Sequence, residues 1–99
     1  MLQNVDGLKG LTGLQTLDLY GCSALENVDG LKALTALQTL SLSGCRVLQN
    51  VDALKGLTGL FFLNLEFSTS IPASALDELR AALPKTYITS PDGKISAPK

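Results

Sequence analysis

The chain has 99 residues, 45% of them apolar but only 5% aromatic, with no tryptophan and no histidine. That is enough for one small domain. Eight basic and nine acidic residues leave a net charge of −1 and lie dispersed along the chain, which excludes the electrostatic footprint of a nucleic-acid or anionic-membrane binder. No apolar run approaches the roughly 20 residues of a membrane span. The opening Met1-Leu2-Gln3-Asn4-Val5-Asp6 lacks the basic flank and long apolar stretch of a signal peptide, so the default compartment is cytoplasmic.

Taken in chain order, the sequence repeats itself. Residues 8–30 laid over residues 31–53 agree at 15 of 23 positions. Continuing into the next unit, Leu14, Leu37 and Leu60 coincide, as do Leu17, Leu40 and Leu63, and Leu19, Leu42 and Leu65. The following column is Cys22, Cys45 and Ser68, then Leu25, Leu48 and Ile71. Upstream, Leu2 and Val5 match Leu25 and Val28, so the chain enters halfway through a unit. The units run over about 1–7 (partial), 8–30, 31–53 and 54–76, with residues 73–99 forming a C-terminal cap. A period between about 20 and 29 residues with this spacing is the signature of leucine-rich repeats.

Within a unit, Leu14-Gln15-Thr16-Leu17-Asp18-Leu19 alternates apolar and polar residues, which suits a short strand with one buried face. Gly21-Cys22-Ser23 turns the chain. Leu25, Val28, Leu31 and Leu34 then recur every three residues, a spacing suited to a 3₁₀-like or irregular return path. A single coil cannot bury its own apolar interior, so neighbours must stack, their strands forming a parallel sheet. The residues from Ser74 to Leu83 read as an α-helix, with Ser74 as cap, acid in the first turn and Pro84 at the end. Leu83, Thr86 and Ile88 fall 23 residues after Leu60, Leu63 and Leu65, predicting a fourth strand over 85–89. Ser90-Pro91-Asp92-Gly93 is a turn signal between Tyr87-Ile88-Thr89 and Lys94-Ile95-Ser96. It predicts a hairpin that covers the last edge strand.

The segments Leu14-Gln15-Thr16-Leu17-Asp18-Leu19-Tyr20-Gly21-Cys22 and Leu37-Gln38-Thr39-Leu40-Ser41-Leu42-Ser43-Gly44-Cys45 resemble the core motif of the leucine-rich-repeat superfamily. The Gly-Cys-x-x-Leu variant is similar to repeats of plant intracellular immune receptors. The Leu-x-x-Leu-Thr-x-Leu lead-in at 31–37 and 54–60 is similar to bacterial internalin-type repeats. The resemblance implies an α/β fold: a short right-handed β/3₁₀ or β/α superhelix with about four parallel strands and a C-terminal helix plus hairpin. It further implies that the sheet lines a concave, protein-binding face. Family members usually carry an N-terminal cap, whereas this chain begins inside a repeat. Missing upstream residues or a second chain would close that end.

Strand alternation predicts the outward-facing residues of each coil: Thr16, Asp18 and Tyr20; Thr39, Ser41 and Ser43; Phe62, Asn64 and Glu66; Lys85, Tyr87 and Thr89. Phe62 and Tyr87, placed diagonally adjacent, are the candidate binding anchors, because rigid exposed aromatics favour interface hot spots. Phe61 and Phe67 replace Gln38 and Gly44 in the third coil and are expected to pack the transition to the cap. Two cysteines without histidine do not make a zinc site or an activated nucleophile. A disulfide between adjacent coils is compatible with the spacing, but a buried turn ladder is the better reading. The columns Asp6/Asp29/Asp52 and Lys9/Lys32/Lys55 read as mutually compensated surface charge rather than a calcium site. Asn4, Asn27 and Asn50 are expected to fix the return turn through side-chain to backbone hydrogen bonds, with Thr12, Thr35 and Thr58 in a similar part. With no histidine, phosphate loop or clustered carboxylates, the chain reads as a non-enzyme without cofactors. A scaffold that binds a protein partner through the sheet is the leading function. Self-association as a homodimer through the uncapped N-terminal coil is the alternative, because Leu2, Val5, Leu8, Leu11 and Leu17 would meet solvent there.

Overall fold

The computed structural model describes residues 10–96. Their strands are β1 (Thr16–Asp18), β2 (Thr39–Ser41), β3 (Phe62–Asn64), β4 (Tyr87–Thr89) and β5 (Ile95–Ser96). They form one sheet in sequential order, with β1 to β4 parallel and β5 antiparallel to β4. Thr16 pairs with Thr39 and Thr39 with Phe62, so each step across the sheet is the 23-residue repeat. Each parallel strand, β1 to β4, is only three residues long, and in the first two coils the apolar alternation ends at a turn glycine. Gly21 and Gly44 adopt φ of 73° and 76°, the left-handed region that glycine enters without a Cβ clash.

Behind the sheet the chain returns through 3₁₀ turns at Asp29–Leu31 and Asp52–Gly56. Leu25, Val28, Leu31 and Leu34 are all fully buried, as are Leu48, Leu54 and Leu57 one coil later. The three-residue spacing therefore puts one side chain per 3₁₀ turn into the core. Leu40 and Leu63 from the strands meet them from the other side, both with no exposed surface. Two polar ladders hold the coils in register. Asn27 and Asn50 accept the backbone N–H of Asp29 and Asp52, at 3.2 and 3.0 Å, and themselves form a parallel bridge. This is the turn-fixing part expected of that column; Asn4 lies outside the described residues. Thr12, Thr35 and Thr58 are exposed.

The second ladder is the cysteine column. The Cys45 thiol donates to the carbonyl of Leu19 at 3.4 Å, and the Ser68 hydroxyl donates to that of Leu42, the equivalent atom one coil on. Ser68 Oγ also accepts the N–H of Cys45 at 3.1 Å. Cys22 and Cys45 are free thiols. Burial, and secondarily the neighbouring Cys22, pushes the Cys45 thiol up to about 11, so it stays protonated and able to donate.

The C-terminal coil departs from the expected register. Phe62 pairs with Tyr87 and Leu63 with Ile88, a step of 25 residues rather than 23. The cause is the replacement of a 3₁₀ turn by an α-helix, α1 (Ala73–Ala82). An α-helix rises about 1.5 Å per residue against about 2.0 Å for 3₁₀, so more residues are needed to return across the coil. The helix begins after Pro72, with Ser74 inside it and no side-chain cap, and Asp77 and Glu78 lie beyond its first turn. Leu79 on the helix and Leu83 just past its end are buried. Lys55 ties the outer face to the preceding coil, 2.6 Å from Glu78 and 3.2 Å from Asp52. These carboxylates, Glu78 first, hold the Lys55 ammonium above its usual range. The Asp–Lys column thus compensates itself in this coil and recruits a helix carboxylate as well. The terminal hairpin forms as expected: Ser90 N–H donates to Lys94 O at 2.7 Å and Gly93 N–H to Ser90 O at 2.9 Å.

Candidate surface on the outer face of the sheet

The outward face of β1 to β4 brings together most of the expected residues. Thr16, Asp18, Tyr20 and Thr39 are exposed, while Ser41, Phe62, Asn64, Glu66 and Tyr87 are half-buried. Three positions differ from expectation. Lys85 lies in the exposed turn before β4, displaced from the sheet by the two added residues. Thr86, beside it, is buried and donates its hydroxyl to Leu60 O at 2.8 Å. Ser43 is only 3% exposed, its hydroxyl donating to Glu66 O at 3.0 Å, so it belongs to the coil-to-coil bonding. Thr89 is buried because β5 pairs across it.

Several of the polar residues already hold structural partners. Asp18 Oδ1 accepts the N–H of Tyr20 and Asn64 Oδ1 that of Glu66, both at 2.9 Å. These equivalent Asx turns end β1 and β3 and fix the direction in which residues 20 and 66 leave the sheet. A Cβ at Gly93 would stand 3.1 Å from the Glu66 carboxylate, so the hairpin turn flanks that side chain.

The aromatic residues mark the surface more clearly. Phe62 and Tyr87 are direct partners across β3 and β4, closer than the diagonal relation expected. Phe61 is not packed into the cap; it is 62% exposed. Its ring lies 5.5 Å from that of Tyr87 at 57°, within the range of favourable tilted aromatic pairs. Phe61 and Tyr87 therefore form a ring pair where β3 and β4 begin, and Phe62, the strand partner of Tyr87, places a third aromatic residue in the same cluster of positions. The replacement of Gln38 and Gly44 by Phe61 and Phe67 in the third coil instead suggests packing of the transition to the cap. In fact Gln38 O accepts both the Phe61 and Phe62 N–H groups, at 2.7 and 3.0 Å, and β3 begins only at Phe62. The signal available in the sequence was that the aromatic pair Phe61-Phe62 stands where the preceding coils carry Gln-Thr.

Phe67 also differs from expectation. It is 59% exposed and occupies the glycine column with φ of 67°. Left-handed backbone costs a residue with a Cβ roughly 1–2 kcal/mol. Phe67→Gly should therefore raise stability by about 1 kcal/mol and the melting midpoint by several degrees. Thermal unfolding followed by circular dichroism checks this, and a lowered midpoint would show that the ring contributes more than the backbone strain costs.

Stacked coils in a 23-residue register, a parallel sheet on one side and 3₁₀ or helical returns on the other define this molecule as a leucine-rich-repeat solenoid. Neither a protein-family profile nor a curated protein matches the sequence. Among solved structures it is similar to internalin C2 of Listeria monocytogenes, at 23% identity and a TM-score of 0.47, over 89% of this chain and 46% of that one. It is likewise similar to internalin F of the same species, at 19% identity and a TM-score of 0.48, over 87% of this chain and 31% of that one. The chain thus spans less than half the length of either internalin. No helix of the described residues is long and apolar enough to cross a membrane.

Proposed function

We propose that this chain is a non-catalytic interaction scaffold whose outer sheet face binds a protein partner, with the Phe61, Phe62 and Tyr87 cluster as its anchor. The observation that carries the reading is the tilted Phe61–Tyr87 pair on the sheet, with Phe61 exposed and Tyr87 half-buried. Aromatic side chains bury a large area with little rotamer entropy to lose, which is why they dominate interface energetics. Small residues beside them, Thr16, Thr39 and Ser41, leave room for a partner's backbone or side chains. A photo-activatable phenylalanine analogue tests the reading when placed at Ser41 or, as a control, at Lys32 beside the Asp29–Leu31 turn. A protein cross-linked from Ser41 and not from Lys32 is the expected result; the reverse pattern would move the binding face to the 3₁₀ side.

A second reading is self-association through the β1 end. Leu11 is 50% exposed, and Leu14 and Leu17 are half-buried where Leu37 and Leu40 one coil on are fully buried. Apolar surface of this kind favours burial against another chain. Light scattering coupled to size exclusion decides it: a mass that rises with concentration supports a homodimer, and a constant monomer mass removes it.

A further inference from the structure

At the opposite end of the strands from the Phe61 cluster, the turns that follow β1 to β3 form a slot with unusual walls. Tyr20 is 70% exposed on one side and Phe67 is 59% exposed on the other. Between them the floor is Gly21 and Gly44, and Arg46 lines the same hollow. The two glycines lie against each other across the coils: a Cβ on Gly44 would stand 3.4 Å from the Gly21 nitrogen. With no side chain on either glycine, the described residues leave a hollow between Tyr20 and Phe67. Phe67 is held in a left-handed conformation that the equivalent Gly21 and Gly44 adopt freely. Its ring remains largely in solvent, so little packing compensates that strain. Strain retained without a packing gain points to a role in recognition. Arg46 joins none of the ion pairs among the described residues, which are made by Lys55 and Arg80.

We infer that the Tyr20–Phe67 slot binds an extended peptide segment in which an aromatic side chain sits next to a carboxylate. Tyr20 and Phe67 stand on backbones two coils apart, about 9.6 Å. Both side chains line the same hollow as Gly21 and Gly44, so a guest ring seated there can meet either of them. The guest's carboxylate meets the Arg46 guanidinium, whose fork of N–H donors fits it in two-point geometry. The bare glycine floor lets the peptide backbone approach. The Arg46 cation selects an acidic segment over a neutral ligand such as a sugar, which would use the rings alone. This slot is separate from the Phe61 cluster, so its test does not depend on the anchor proposed above.

The test is an amide-resolved NMR titration of the full chain with three N-acetylated, C-amidated tetrapeptides, whose only charges are on their side chains: Glu-Phe-Glu-Phe, Lys-Phe-Lys-Phe and Glu-Ala-Glu-Ala. Saturable shifts at Gly21, Gly44 and Phe67 with the first peptide alone are expected. Arg46→Glu should transfer the preference to the lysine peptide. Phe67→Gly, which relieves the strained backbone, and Tyr20→Ala should each weaken binding about tenfold or more while the spectrum stays folded. Absence of saturable shifts at millimolar peptide, equal response to the lysine peptide, or the same shifts from a neutral oligosaccharide would overturn the proposal. So would full binding by Phe67→Gly.

Discussion

Leu63→Ala should destabilise the chain by about 2–5 kcal/mol, whereas the equivalent Leu17→Ala should cost about 1–2 kcal/mol. The two residues occupy the same column of the repeat and pair in line through Leu40. Leu63 has coils on both sides and no exposed surface, while Leu17 in β1 is only half-buried. Truncating Leu63 leaves a cavity that the stacked neighbours cannot close, because their positions are fixed by the Cys45–Ser68 and Asn27–Asn50 ladders. Truncating Leu17 removes less buried surface and opens no enclosed void. Urea midpoints at an unchanged slope measure the difference. Equal losses would mean that the β1 end is packed as tightly as the middle of the stack. For a domain whose whole stability is of order 5–15 kcal/mol, the larger value leaves a substantial unfolded fraction.

Much of the fold was legible in the sequence because each level agreed with the next. The alternation around Leu17 and Leu40, the turn glycines and the three-residue spacing of Leu25 to Leu34 all place one side chain in one shared core. The last coil was legible in kind but not in register. Its helix, strand and hairpin were each signalled by local residues, yet the 23-residue period carried forward to Lys85 and Thr86 is two residues out. A repeat count does not contain the difference in rise between 3₁₀ and α-helix. The candidate surface was less legible for a related reason. Alternation identifies which face a strand residue takes only while the strand lasts, and Phe61, Ser43 and Phe67 all lie outside the three-residue strands. Phe61 turns outward at the strand's entrance, Ser43 is drawn into bonding with the next coil, and Phe67 takes a glycine's conformation with its ring exposed.

The double substitution Phe61→Ala with Tyr87→Ala should weaken binding of a captured partner at least about a hundredfold, close to 3 kcal/mol. The two rings touch each other and are presented together, so removing both eliminates one contiguous anchor rather than two scattered contacts. Phe61 contributes little to the fold from its 62% exposed position. Tyr87 is half-buried, but the inward residue of the same strand, Ile88, still fills the core at 1% exposure. The double variant should accordingly remain folded, which circular dichroism establishes before affinity is read. Phe62, paired with Tyr87 across the strands, is the third member of the cluster, and its replacement by alanine should add a smaller loss. Calorimetric titration of wild type and double variant against the same partner is the direct measurement. A folded double variant that binds at least a hundredfold more weakly is the predicted result; a folded double variant within about threefold of wild type, roughly 0.6 kcal/mol, would contradict the assignment of this aromatic cluster as the binding anchor.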